Sequence, residues 1–112
     1  MKPVIALAAV IALSALAPAH AEGPLPAGVV KKGTLANAKL IADTKTGVAS
    51  KVAMRGCTKL GDVDTYVLSM PAGAAGARQW KERWIVSGCG TKYPVDIEFK
   101  EDGQGGAYWT IH

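Results

Sequence analysis

The chain has 112 residues, a formal net charge of +4, two cysteines and a hydrophobic content of 49%. That length excludes a multidomain protein. Three Trp, three Tyr and one Phe, set among many aliphatic residues, exclude the disordered class. The apolar content is concentrated at the start. Residues 4–17 (VIALAAVIALSALA) follow Lys2 and precede Pro18 and Ala19-His20-Ala21. A charged start, a short apolar core and small residues at −3 and −1 form the order of a cleavable secretory signal. The 14-residue run is also shorter than the roughly 20 residues a membrane-spanning helix needs. A buried first helix is the weaker reading, because the run is unpatterned and ends in A-x-A. Cleavage after Ala21 takes 21 residues from 112 and leaves 91. Glu22, not a Cys that could take a lipid, stands directly after the cleavage point, so the mature chain is expected in the periplasm or the outside medium.

An oxidising compartment decides the role of the cysteines. Cys57 and Cys89 are the only two, and the mature chain has one histidine, His112. Four ligands for structural zinc and a C-x-x-C redox pair are both out of reach. An intramolecular disulfide is the natural state of such a pair, against free thiols or an intermolecular bridge. No metal and no cofactor are expected.

Residues 22–33 (EGPLPAGVVKKG) read as a flexible leader, rich in Pro and Gly. Thr34 is an acceptable N-cap, and Leu35, Ala38, Ile41, Ala42, Val48, Ala49 and Val52 then share one side of a helix. Gly56 is its expected stop. Lys45 projects into the apolar stripe, and Gly47 costs about 1 kcal/mol in a helix interior relative to Ala. From residue 62 the period changes to 2. Asp64–Met70, Gln79–Ser87, Tyr93–Lys100 and Ala107–His112 read as strands, separated by turn signals at Pro71-Ala72-Gly73, Gly88-Cys89-Gly90 and Glu101–Gly106. The expected fold is α+β: residues 34–112 form one domain, with one helix packed on a four-stranded antiparallel meander and a disulfide tying the helix end to a strand turn.

Trp80, Glu82 and Trp84 fall on one face of their strand. This places a carboxylate between two indoles, suited to a cationic or sugar-like ligand or to a general acid with raised pKa. The competing reading puts both Trp in the core and pairs Glu82 with a base such as Lys45, Arg78 or Arg83, Lys45 being the one misplaced cation on the helix. Gly103-Gln104-Gly105-Gly106 lacks the Lys and Ser/Thr of a phosphate loop and is expected as a hairpin. Asp62, Asp64, Glu101 and Asp102 do not fit a calcium loop and are expected as solvated turns. No Ser, Cys or Thr has an assignable base, so a catalytic nucleophile is not expected.

Charge divides along the chain. Residues 22–60 carry seven Lys/Arg against two acids, and residues 61–112 carry five against seven. Lys31, Lys32, Lys39, Lys51, Arg55 and Lys59 make a candidate basic surface for an envelope protein or an anionic envelope polymer; the alternative is an ordinary solubilising face. Nucleic acid is disfavoured by export and by the lack of aromatics interleaved with those bases.

Thr65–Ile111 contains Trp80-Lys81-Glu82-Arg83-Trp84-Ile85-Val86, then Cys89-Gly90 and a Gly-rich turn before the last strand. This W-x-E-x-W-x-V-x-x-C-G segment resembles small, mostly uncharacterised exported bacterial proteins. The resemblance implies export and strand structure, and it carries no activity. The expected function is a non-catalytic binding or interaction module of the bacterial envelope. The alternatives are a secreted inhibitor of another enzyme and a small hydrolase using Glu82 as general acid.

Overall fold

The structure is a computed structural model and describes residues 24–112. The expected signal segment, residues 1–21, lies outside the described residues. Within them the chain order is β1 (Lys31–Lys32), α1 (Ala38–Met54), β2 (Leu60–Ala72), β3 (Gln79–Gly88), β4 (Thr91–Glu101) and β5 (Ala107–Ile111). All neighbouring strands are antiparallel, and their order in the sheet is their order in the chain. The expected α+β class holds, but the sheet has five strands instead of four. The added strand comes from the stretch expected as a leader, where Lys31 pairs with Val67 and Lys32 with Tyr66. Two residues with no alternation carry no strand signal of their own, which is why the sequence does not show them.

The helix begins three residues later than its sequence suggests. Asn37, not Thr34, is the N-cap, and its side chain accepts from the Leu40 N–H at 2.9 Å. Gly56 lies just past the C-cap Arg55, where the expected stop was. The buried positions are Leu40, Thr44, Val48 and Val52, one every four residues. Ala38 and Ala42, expected inward, are exposed, and so is Lys45. The helix is therefore rotated relative to the predicted stripe, and it passes Gly47 without breaking. A Cβ at Gly47 would lie 2.5 Å from the Trp109 ring and 3.0 Å from Ile111. Glycine at this point lets β5 approach the helix backbone.

Period-2 alternation places one face of the sheet under the helix. Trp80, Glu82, Trp84 and Val86 of β3 and Val95, Ile97 and Phe99 of β4 are buried there. Trp80 stacks on Phe99 with ring centroids 5.0 Å apart. Three register shifts in β2 each add a residue relative to β3, which bends this long strand. The β3–β4 connection is a two-residue loop, Cys89-Gly90, with both residues at positive φ (50° and 75°). This is the conformation that matches the strand twist in a tight hairpin. From that turn Cys89 forms the expected disulfide with Cys57, which follows the helix, with 5.9 Å between Cα atoms. No helix among the described residues is long and apolar enough to cross a membrane.

Candidate functional site

Alternation in β3 directs the Glu82 side chain between the indoles of Trp80 and Trp84, which share the core cluster with Leu40, Val48 and Val52 of the helix. Glu82 has 0% exposure. The Trp84 indole N–H donates to Oε1 at 2.8 Å, and the Trp80 indole N–H donates to Oε2 at 2.8 Å. Two further donors come from the link between β1 and α1. The Thr34 hydroxyl donates to Oε1 at 2.7 Å and the Leu35 backbone N–H to Oε2 at 2.9 Å. Thr34 Oγ1 in turn accepts from the Ala36 N–H. Four donors surround an acceptor-only carboxylate with about four lone-pair positions, so its hydrogen-bonding capacity is full. Hydrogen bonds to a charged group contribute about 1.5–3 kcal/mol each, which offsets removing the carboxylate from water.

The sequence brings Trp80, Glu82 and Trp84 together correctly, but the proposed ion pair of Glu82 with Lys45 is not formed. Lys45 is exposed and lines a cleft together with Asp62 and Trp84. Neutral donors fill the place the sequence reading gave to a base. Thr34 and Leu35 are the site residues it missed, because they lie 48 and 47 positions from Glu82 and leave no local pattern.

The basic residues are distributed over β1, both ends of α1 and the segment before β2. Lys31 and Lys32 sit on the β1 edge, Lys39 in the first turn of α1 and Arg55 at its C-cap. The 16 residues from Lys39 to Arg55 correspond to about 24 Å along a helix. Lys39 is also paired with Asp43 at 2.9 Å, and Arg55 donates to the Pro94 carbonyl. Lys51 lies in the last helical turn, and Lys59 is exposed just before β2.

Glu101 and Asp102, expected as a solvated turn, organise the loops at the other end of the sheet. Glu101 accepts from the Gly76 and Arg78 backbone N–H groups and from the Arg78 guanidinium, which reaches both its oxygens. These bonds, led by the guanidinium, hold its carboxyl down at about 2. Asp102 Oδ1 accepts from Gln104 N and Gly106 N, shaping the β4–β5 turn. Between this turn and the start of α1 lies a cleft of about 550 Å³, with Leu35, Leu40, Trp80 and Ala107 among its apolar walls.

The sheet face away from the helix carries paired charges. Arg83 binds Asp96 through two hydrogen bonds, 2.6 and 2.9 Å, which keep the Asp96 carboxyl below its ordinary range. His112 Nε2 lies 3.5 Å from Glu98. Among the described residues, no group of three or more His, Cys, Asp or Glu is placed to hold a metal ion. Comparison with protein-family models, curated proteins and solved structures finds no match to this chain.

Proposed function

We propose that the chain is a small exported interaction module of the bacterial envelope, acting without catalysis or cofactor on a partner in the periplasm or medium. The observation that supports this reading is the state of Glu82. Its 0% exposure and four donors give a substrate no route to the one carboxyl whose surroundings suggested acid catalysis. A general acid must come within hydrogen-bond reach of the group it protonates. In this geometry Glu82 instead ties the segment before the helix to the sheet. The disulfide is compatible with the oxidising compartment that export supplies. A secreted inhibitor is the special case in which the partner is an enzyme.

The test is affinity capture with oxidised residues 22–112 as bait, from envelope and culture-medium extracts at low salt. Saturable recovery of one partner, displaced by excess untagged chain, is the expected result. Recovering none would overturn the reading. So would a turnover abolished by Glu82→Gln in a variant that keeps the native fold.

A further inference from the structure

The two edges of the sheet are built differently. On one side β1, two lysines, covers only Tyr66 and Val67 of the thirteen-residue β2. Three register shifts of β2 against β3 interrupt the rest of that edge, and these features discourage pairing with another strand. The β5 edge, Ala107–Ile111 (AYWTI), has five residues with no charge, no proline and no register shift against β4. His112 N donates to Asp96 O and Asp102 N to Gly106 O, which sets the phase of the β4–β5 ladder. With that phase, the N–H and C=O groups of Ala107, Trp109 and Ile111 point away from β4. No other backbone hydrogen bond among the described residues takes them up. Tyr108, 67% exposed, stands on the same strand.

Ala107 also lines the 550 Å³ cleft. Of the carboxylates there, Asp43 is paired with Lys39 and Glu101 with Arg78. Asp102 has no cationic partner among the described residues. The cleft thus combines an apolar wall with one uncompensated negative charge, at the end of a strand with free main-chain groups. Main-chain pairing at a sheet edge supplies affinity, and a side-chain pocket beside it supplies selection.

The geometry points to the β5 edge as a docking strip for an extended segment of another polypeptide, with a Lys or Arg side chain of that segment entering the cleft beside Asp102. This rests on the interaction-module reading and names the chemistry of its partner. A second copy of the chain fits less well: β5 itself carries no basic residue, so pairing two β5 strands leaves Asp102 uncompensated.

Acetylated, amidated peptides alternating Val and Thr, with a central Lys, Gln or Glu, test the assignment by NMR titration of oxidised, isotope-labelled residues 22–112. The Lys peptide is expected to shift the Ala107, Trp109 and Ile111 amides and the Trp80 indole, and to slow hydrogen exchange at those three amides. The Glu peptide is expected to bind about tenfold more weakly. Asp102→Asn keeps the turn acceptor and removes the charge, so it should erase the preference for Lys. Ala107→Pro removes an outward N–H at the first strand position, where proline is tolerated, and should abolish binding. If that variant does not fold, the Lys-against-Glu comparison on the unaltered chain decides. No shifts at millimolar peptide, shifts confined to other strands, or self-association that Ala107→Pro blocks would each overturn the assignment. A captured partner whose binding survives Ala107→Pro would remove the β5 strip and leave the interaction-module reading standing.

Discussion

Glu82 is buried without a cation, and its two oxygens accept from two indoles, a hydroxyl and a backbone amide. Glu82→Gln would turn an amide N–H₂ toward donors that then have no acceptor. Buried unsatisfied donors cost about 1–3 kcal/mol each, so a loss of roughly 3 kcal/mol is expected by urea denaturation. Lys45→Leu should not rescue it. The double-mutant cycle of Glu82→Leu with Lys45→Leu is expected to be additive within about 0.5 kcal/mol, since the two side chains do not meet. A coupling well above 1 kcal/mol would mean that they pair in solution. The Trp80-Glu82-Trp84 grouping was legible because period 2 puts alternate residues on one face. Its donors from the β1–α1 link were not, because a hydrogen bond requires proximity and not any particular spacing.

The helix and β5 meet at Gly47, which local propensity alone marks as a defect. Propensity predicts that Gly47→Ala stabilises the helix by about 1 kcal/mol. With Trp109 and Ile111 against that backbone, we expect the opposite: a net loss of about 1–3 kcal/mol from overpacking, read as a lower thermal midpoint. At the other end of the helix, the disulfide closes a loop of sequence separation 32. Replacing both cysteines by Ser should cost roughly 3–4 kcal/mol in the chain-entropy model, measured as the shift in denaturant midpoint under oxidising conditions. The last three strands were readable to within two residues because alternation and turn residues are contiguous. In contrast, β2 runs from Leu60 through Pro71 and Ala72 instead of spanning Asp64–Met70, its register shifts breaking the alternation. The two-residue β1 was not, since β2 alone gives it a strand conformation.

Across the whole molecule, two carboxylates held by arginines tie acid stability to the fold. Glu101, held at about 2 against an ordinary 4.5, and Asp96, also lowered, bind protons more weakly when folded. The contribution of Glu101 is therefore fully present above about pH 4.5 and is lost as pH falls toward 2, and Asp96 acts in the same direction. Urea midpoints should be insensitive to these two groups near neutrality and decline below pH 4.5, with a shallower acid limb in Arg78→Ala. An unchanged limb in that variant would mean that the Arg78–Glu101 pair is not maintained in solution. The sequence by itself determined the α+β class, the alternating core face, the disulfide and the turn that carries Cys89. Each follows from backbone geometry between near neighbours or from the cysteine count. Only the tertiary structure decided which groups satisfy Glu82, that Lys45 faces water, and that no further strand covers β5. Those outcomes depend on the rotation of one helix and the path of one linker, which residues tens of positions apart set jointly.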